Sequence, residues 1–246
     1  MSKIEGNVAL VTGANRGIGK AFVEELLNAG IAKVYAAARN PDSLADLVKA
    51  GAGRVVPVTL DVTDAAASEA LAKAHPDVGI LINNAGVASY AGILSTSDTA
   101  PARHEMETNY FGVINTIRAF SDVLAGNGGG IIINIASIAA HVNFPVLGSY
   151  SASKAAVHSL TQCVRAELAA QKTLVVGVYP GPVDTELAES FPLDKTAPND
   201  VARQVLESVD DGQEDIFPDP AAVQMFQGLR ADPKAVEKEA GQMLPA

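Results

Sequence analysis

The sequence predicts an α/β fold, a doubly wound parallel sheet of about seven strands with helices on both faces. Short apolar runs of the buried-strand type alternate along the chain with longer amphipathic helical patterns. This alternation implies parallel strands joined by right-handed crossovers. At 246 residues, 48% of them hydrophobic, the chain is long enough to bury the core of one such domain. We therefore expect a single domain over residues 1–246.

A glycine-rich turn follows the first strand. The apolar run Val8 to Val11 stops at Thr12 to Gly19, and a helical pattern continues from Lys20 to Ala29. Strand, turn and helix in this order aim backbone N–H groups and a helix N-terminus at a pyrophosphate. Glycine is needed where a Cβ would block the close approach or the tight turn. The flanking elements therefore favour a dinucleotide site over an ordinary turn.

The end of the second strand, Lys33 to Ala37, indicates which dinucleotide binds. An acid at this point would bind the ribose 2′-hydroxyl of NAD, whereas a basic residue can pair with the 2′-phosphate of NADP. No acid occurs from 34 to 41, but Arg39 does, and Arg16 in the glycine turn is a possible second cation. Because guanidinium matches phosphate in a forked geometry, we predict NADP(H) as the cofactor. The alternative is that Arg39 is a solvent-facing loop arginine.

The remaining elements keep the same rhythm. Helical patterns are predicted over 41–50, 65–74, 101–124, 151–170 and 198–209, and strands over 55–60, 79–82, 131–135, 174–179 and 214–219. Asp61 follows the third strand, where it would meet an adenine edge. The turn Asn83 to Gly86 follows the fourth strand, and its amides and glycine suit a turn close to a ligand.

Asn109 and Gly112 weaken the middle of the long helix 101–124, because both residue types have low helix propensity. One interpretation is a kink at which a freed carbonyl binds water. The other is an asparagine on the solvent face and a glycine that allows close packing.

Three side chains with proton-transfer chemistry lie near one another in sequence. Tyr150 and Lys154 are four residues apart at the start of a helix, so they share a face. A free tyrosine has a pKa of about 10, and a neighbouring ammonium group would favour the phenolate. Ser137 follows strand 131–135, at the carboxyl end where open α/β sheets bind ligands.

Taken together, these motifs resemble the short-chain dehydrogenase/reductase family. The resemblance rests on the glycine motif Thr12-Gly13-x-x-x-Gly17-x-Gly19, the turn Asn83-Asn84-Ala85-Gly86, and the set Asn109, Ser137, Tyr150 and Lys154, in register from about residue 6 to 185. It implies a Rossmann-type fold in which Tyr150 is the general acid or base and Ser137 orients the substrate oxygen. It also implies that Lys154 lowers the tyrosine pKa and holds the nicotinamide ribose, while Asn109 holds a water that passes protons to Lys154.

The resemblance also implies cofactor contacts, with Asp61 at adenine, Asn83 to Gly86 along the adenosine, and Ile18 and the segment after the sixth strand around the nicotinamide. The full set of expected cofactor-binding residues is Gly13, Asn15, Arg16, Gly17, Ile18, Gly19, Arg39, Asp61, Val62, Asn83, Ala85, Gly86, Tyr150, Lys154, Pro180, Gly181, Val183 and Thr185.

The expected activity is interconversion of a ketone or aldehyde and an alcohol, as in a carbonyl reductase or alcohol dehydrogenase. Hydride would pass to or from nicotinamide while Tyr150 transfers the proton. The alternatives are an NAD-dependent dehydrogenase of a steroid- or sugar-like alcohol, and an NADP-sensing regulator without turnover. The complete proton-transfer set argues against the regulator, although fold similarity alone would not exclude it.

The segment between Ser137 and Tyr150 is mostly apolar, which suits an apolar or aromatic ketone. We expect His141, Phe144 and Leu147 to line the substrate pocket, with His141 shaping its mouth rather than acting as a second proton donor.

Residues 186–246 are expected to form a short substrate-side segment and a variable C-terminal tail. Only 186–197 separate Thr185 from the next helix, so we expect a short lid and an open pocket. The tail, 219–246, contains two amphipathic stretches that would either cover the pocket or pack at an interface between subunits.

Composition bears on partners and compartment. A formal net charge of -10 argues against nucleic acid or an anionic membrane as partner. Cys163 is alone, which fits a reducing compartment, and we interpret it as a core thiol. Neither a leader nor a membrane span is apparent, so cytoplasm is expected. The histidines show no metal-ligand grouping, so no metal is expected. The family resemblance implies a homodimer or homotetramer.

Overall fold

Seven parallel strands form one sheet in the computed structural model, within residues 2–189 and 193–245, which are the residues that it describes. The strand order is β3-β2-β1-β4-β5-β6-β7, so the order reverses between β1 and β4. The strands are β1 Val8–Thr12, β2 Lys33–Ala38, β3 Val55–Thr59, β4 Ile80–Asn83, β5 Ile131–Ile135, β6 Leu174–Val178 and β7 Asp215–Ile216. The predicted doubly wound parallel sheet is confirmed.

Helices cover both faces of the sheet. They are α1 Gly17–Asn28, α2 Ala45–Ala50, α3 Ala65–Ala74, α4 Ala100–Met106, α5 Gly112–Gly126, α6 Gly148–Leu168, α7 Pro198–Asp210, α8 Pro220–Ala231 and α9 Pro233–Ala240. Successive strand residues point to opposite faces. In β4, Ile80 and Ile82 pack into the core beneath α1 and α7, whereas Leu81 packs into the core beneath α3, α5 and α6.

The long helix predicted over 101–124 is interrupted by a π-helical turn. Residues Glu107–Phe111 form this turn between α4 and α5. Asn109 is only 1% exposed, so it does not lie on the solvent face. Gly112 packs closely, since a Cβ there would lie 2.6 Å from Cγ2 of Val62. The helix is thus distorted at a buried asparagine, as the first interpretation expected, while the glycine allows close packing, as the second expected.

Cys163 is exposed, so its interpretation as a core thiol is wrong. The sheet-facing side of α6 is formed by other positions at helical spacing, including Val157, Thr161 and Val164. Cys163 precedes the last of these by one residue and therefore points away from the sheet.

The last predicted strand, 214–219, is reduced to the two residues of β7 at the edge of the sheet. Beyond it the chain turns into α8 and α9, which fold back over the carboxyl end of the sheet and pack against the 138–140 segment after β5. In the described part of the chain, no helix combines the length and the apolar character needed to cross a membrane.

Candidate active site

The turn between β1 and α1 is shaped to accept a phosphate. Gly13 and Gly17 have φ values of +63° and +52°, which side chains other than glycine rarely adopt. A Cβ on Gly19 would lie 2.2 Å from the carbonyl oxygen of Gly13, so the third glycine allows the helix to approach the strand. Arg16 precedes α1 without capping it through its side chain. The first N–H groups of α1 are therefore available as donors to a bound anion, and these residues fit a dinucleotide pyrophosphate.

Thr12 and Asn84 tie the ends of β1 and β4 together beneath this turn. The Thr12 hydroxyl accepts hydrogen bonds from the backbone N–H groups of Asn84 and Ala85, at 3.0 and 3.1 Å. The Asn84 amide donates to the carbonyl groups of Thr12 and Gly13, at 2.9 and 3.1 Å. Thr12 was not predicted as a site residue, and Asn84 was expected only as part of the turn Asn83 to Gly86 along the adenosine, although both lie within the motifs. Together they hold the cleft at the point where the strand order reverses.

Basic groups lie at one end of the cavity. Arg39 and His104 line this end together with Asp61. Hydrogen bonds from the backbone N–H and then the hydroxyl of Thr63 hold the pKa of Asp61 below its usual value, and the charges of Arg39 and His104 add to this effect. Arg16 forms an exposed ion pair with Glu186. Among the described residues Arg39 forms no ion pair, so its guanidinium is available to a phosphate.

Ser137, Tyr150 and Lys154 converge in the middle of the cavity. Burial raises the pKa of the Tyr150 phenol to about 12, a hydrogen bond with Ser137 opposes this shift, and the Tyr90 and Glu105 groups add to it. The Lys154 ammonium donates to the carbonyl of Ile135 at 2.8 Å and lies 5.7 Å from the centre of the Tyr150 ring. Burial lowers the pKa of Lys154 to about 8, so the amine is mostly charged at neutral pH.

Asn109 lies behind this group rather than on the cavity wall. Its side-chain oxygen accepts from the N–H of Val87 at 2.8 Å, and its amide donates to the carbonyl of Val87 and to the hydroxyl of Ser153, both at 2.9 Å. The side chain therefore fixes the loop after β4 against α6. The expected role of Asn109 in holding a water stays a prediction, for which its backbone carbonyl in the π-helical turn is the remaining group.

Most residues that were predicted to bind the cofactor or substrate line one cavity of 920 Å³ at the carboxyl end of the sheet. The predicted residues on its wall are Gly13, Asn15, Arg16, Gly17, Ile18, Arg39, Asp61, Val62, Ala85, Gly86, Ser137, Phe144, Leu147, Tyr150, Lys154, Pro180, Gly181, Val183 and Thr185. The structure thus brings these side chains together, while their individual roles stay predictions.

Three of the residues predicted to bind the cofactor or substrate do not line the cavity. Asn83, the last residue of β4, is buried below the cavity, where it donates to Asn134 at 2.9 Å and accepts from Thr116 at 2.7 Å. His141 does not shape the pocket mouth, because its ring packs against His158, Tyr179 and aromatic residues after β7, with ring centroids 4.5 and 4.7 Å apart for the first two. Gly19 also lies behind the wall, where it serves helix packing. These positions correct the assignments made from sequence.

The C-terminal helices cover the substrate end of the cavity. Met225 of α8, Val236 of α9 and Met243 in the tail all line it. The short 186–197 segment therefore shares the covering of this end with a later part of the chain, and the expected openness of the pocket stays a prediction; 190–192 lie outside the described residues. Of the two alternatives for the tail, covering the pocket is the one observed within this chain.

The comparisons with known proteins agree with this geometry. A model of the short-chain dehydrogenases matches residues 7–196. The chain belongs to the short-chain dehydrogenase family. A crystal structure of a short-chain dehydrogenase from Burkholderia cenocepacia in complex with NADP has a TM-score of 0.92 and 42% identity, covering 98% of this chain and 99% of that one. Another member, from Burkholderia phymatum in complex with NAD, has a TM-score of 0.85 and 27% identity, covering 100% and 98%.

A curated relative is the uncharacterized oxidoreductase MexAM1_META1p0182 of Methylorubrum extorquens, 35% identical over 76% of this chain and 77% of its own length. The protein is accordingly an oxidoreductase of the short-chain dehydrogenase family with a nicotinamide cofactor. Within residues 2–189 and 193–245, no three His, Cys, Asp or Glu side chains are grouped as metal ligands, and the absence of a metal stays a prediction.

Proposed function

We propose that this enzyme interconverts a ketone or aldehyde and an alcohol, with NADP(H) as the hydride carrier. The observation that carries the proposal is the buried group of Ser137, Tyr150 and Lys154 on the wall of the cavity that begins at the glycine turn. A phenol hydrogen-bonded to a hydroxyl, with an ammonium 5.7 Å from the centre of the phenol ring, is a set suited to transferring a proton to or from a carbonyl oxygen. When bound, the nicotinamide would supply or accept the hydride.

In the reductive direction the chain provides the proton. Because burial raises the pKa of Tyr150 to about 12, its phenol keeps its proton at neutral pH and is ready to donate it to the forming alkoxide. The Ser137 hydroxyl donates a hydrogen bond to the same oxygen and holds it in place. The charged amine of Lys154 then stabilises the phenolate that remains. In the oxidative direction the same groups act in reverse, starting from the phenolate.

Arg39 supports NADP(H) rather than NAD(H). It follows β2 on the cavity wall, at the position where an acid would bind the ribose of NAD. Its guanidinium has no carboxylate partner among the described residues, so a 2′-phosphate would supply the missing anion.

The decisive experiment compares NADPH and NADH oxidation by the purified enzyme across ketones and aldehydes. NADPH-dependent turnover supports the proposal, a clear preference for NADH favours the NAD-linked alternative, and tight NADPH binding without turnover on any carbonyl favours a sensor.

The Tyr150→Phe variant tests the acid. It should bind NADPH normally and lose about 100-fold to 10,000-fold of its turnover, because proton transfer contributes in that range. Tyr35→Phe is the matched control, since the Tyr35 hydroxyl bonds Asp77 outside the cavity. Near-normal turnover by Tyr150→Phe would contradict the catalytic assignment.

Assembly and compartment are part of the proposal. We infer a homodimer or homotetramer in the cytoplasm, on the basis of the family resemblance, the exposed single thiol and the net charge of -10. Light scattering on the purified protein measures its oligomeric state, and a monomer at micromolar concentration would overturn the inferred homodimer or homotetramer.

A further inference from the structure

The two ends of the cavity differ in charge. The basic residues Arg16, Arg39 and His104 line it at the adenosine end, and Lys154 lies beside Tyr150. Beyond Tyr150, no lysine, arginine or histidine lines the cavity within the described ranges. The charged side chain contributed by the C-terminal helices is that of Glu239, which is exposed at the rim.

The wall beyond Tyr150 is mostly apolar, with the uncharged amides of Gln224 and Gln242 also on it, and comes from two parts of the chain. Phe144 and Leu147 contribute from the segment before α6, and Met225, Val236 and Met243 contribute from the C-terminal helices and tail. These side chains belong to one apolar cluster that also contains the Tyr150 ring. The apolar surface is therefore continuous from the reacting phenol to the underside of α8 and α9.

The C-terminal cover is fixed to the rest of the site at three points. Asp219 caps α8 by accepting from the N–H of Ala222 at 2.9 Å, and its second oxygen accepts from the N–H of Gly181 at 2.7 Å. The carbonyl of Met243 accepts from the N–H of Val146 at 2.9 Å. Pro245 lies against Gly92, where a Cβ would be 2.7 Å from its ring. This cover is built as a wall of the pocket and is not a loose tail.

We propose that the C-terminal cover selects uncharged, apolar ketones and secondary alcohols whose longer substituent extends from Tyr150 beneath Met225, Val236 and Met243. The inference rests on the proposed function and adds the substrate class. An apolar chain there gains free energy from burial, whereas a carboxylate or phosphate would be desolvated with no cation to pair with it and with Glu239 nearby.

The first test measures kcat/KM of the unmodified enzyme with NADPH for a series of methyl ketones of increasing length and for one charged analogue. The value of kcat/KM should rise roughly fourfold for each methylene added from butan-2-one to octan-2-one, as burial of that group predicts. For 7-oxooctanoate, in which a carboxylate replaces the terminal methyl of octan-2-one, kcat/KM should be lower by on the order of 100-fold. Equal values for the two eight-carbon ketones would overturn the inference while leaving the proposed function in place.

A charge introduced into the cover tests the location. In Met225→Lys the ratio of kcat/KM for 7-oxooctanoate to that for octan-2-one should increase at least about tenfold, because the carboxylate gains a partner. Val223→Lys is the matched control, since Val223 is exposed on the same helix and does not line the cavity. In this control the ratio of the two kcat/KM values should equal that of the unmodified enzyme. An equal increase in both variants would mean that Met225 does not contact the substrate and would overturn the proposed location.

A binding measurement separates this inference from the activity. Calorimetric titration of the Tyr150→Phe variant with NADPH present should show octan-2-one binding more tightly than 7-oxooctanoate. If no carbonyl compound is reduced by the unmodified enzyme but this difference in binding persists, the proposed function fails and the apolar pocket stands. If both ketones are reduced and bind equally, the pocket assignment fails alone.

Discussion

The buried amine of Lys154 combines a chemical role with a structural penalty. Its pKa is about 8 because burial disfavours the charged form, compared with 10.5 for the same group in an unfolded chain. Below pH 8 the amine is charged in both states, so the native state carries the full desolvation penalty. The residue proposed to stabilise the phenolate is therefore expected to destabilise the fold.

The Lys154→Met variant should be more stable than the unmodified enzyme at pH 7, by on the order of 1–3 kcal/mol, and should lose activity. Urea unfolding between pH 7 and pH 10 gives a second signature. Between the folded pKa of about 8 and the unfolded value of 10.5, the unfolded state binds more protons, so the unmodified enzyme gains stability as pH rises. The variant lacks this titration. A variant less stable than its parent at pH 7 would contradict this reasoning.

Spacing in the sequence was enough to group the hydroxyls and amine proposed to be catalytic, which line one cavity, but could not fix side-chain direction. Tyr150 and Lys154 were predicted together because a four-residue spacing defines one helix face. Asn83 and Asn84 are adjacent amides at the end of β4, and consecutive strand residues point to opposite sides. The prediction placed the turn Asn83 to Gly86 along the adenosine and singled out Asn83, which bonds Asn134 and Thr116 in the core, whereas Asn84 lies on the cavity wall. His141 was misplaced because its aromatic neighbours Tyr179 and Phe226 are distant in sequence.

At the level of elements, the junction between α8 and the segment after β6 depends on one side chain. Asp219 is 3% exposed and uses its two oxygens for different partners, the first turn of α8 and the N–H of Gly181. Gly181 lines the cavity near the predicted nicotinamide position. The cover and the cofactor end of the site are therefore connected through a single carboxylate.

Asp219→Ala should lower the free energy of unfolding by about 1–3 kcal/mol, because it removes a helix cap and leaves the half-buried N–H of Gly181 without its partner. It should also weaken NADPH binding severalfold. Asp232→Ala is the control, because the Asp232 side chain caps α9 through Lys234 and Ala235 and Asp232 does not itself line the cavity. Thermal unfolding and NADPH titration of both variants make the comparison, and equal NADPH affinity in the two would remove the proposed connection.

A second prediction at this scale concerns the glycine that follows the π-helical turn. Gly112→Ala should destabilise the enzyme by about 1–3 kcal/mol, because the new methyl would lie 2.6 Å from Cγ2 of Val62. Gly126→Ala, at the other end of α5, places its methyl in open space and should be neutral or slightly stabilising. Chemical denaturation of both variants checks the difference. Equal stabilities would mean that Val62 moves aside freely.

For the whole molecule, charge is distributed unevenly. The formal net charge is -10, yet Arg16, Arg39 and His104 line the adenosine end of the cavity. Asp61 and Glu186 line the same part of the cavity, and Arg16 is already paired with Glu186. Among the described residues at this end, Arg39 is therefore the guanidinium left to attract the additional phosphate of NADPH. The choice of cofactor is therefore expected to depend on this one contact, made against the repulsion from the net negative charge of the molecule.

The affinity for NADPH should fall more steeply with salt than the affinity for NADH, because screening weakens the additional contact between exposed charges. Dissociation constants measured at roughly 20 and 200 mM salt should differ more for NADPH, by several-fold. In Arg39→Gln the two cofactors should show nearly the same salt dependence. Identical salt slopes for both cofactors in the unmodified enzyme would argue against a role for Arg39 in binding the 2′-phosphate.

The sheet could be predicted from the sequence, but the cover could not. Alternating strand and helix patterns admit few topologies once right-handed crossovers are required. The amphipathic pattern of the tail predicts only that each stretch has an apolar side. It does not indicate which apolar surface of the protein that side packs against. Their partner, the apolar cluster around Phe144 and Tyr150, exists only after the strands have been assembled.

The position of the cover along the chain has an evolutionary consequence. The match to the family model ends at residue 196, and the C-terminal cover begins at Asp219. The residues predicted to bind the cofactor and transfer the proton thus lie within the matched stretch, as do Phe144 and Leu147, whereas Met225, Val236 and Met243 of the apolar wall lie beyond it. Recombination downstream of β7 would replace the C-terminal cover without changing the cofactor site, provided that an acid is kept at position 219. A chimaera carrying the tail of another family member is therefore a route to new substrates on an unchanged cofactor site.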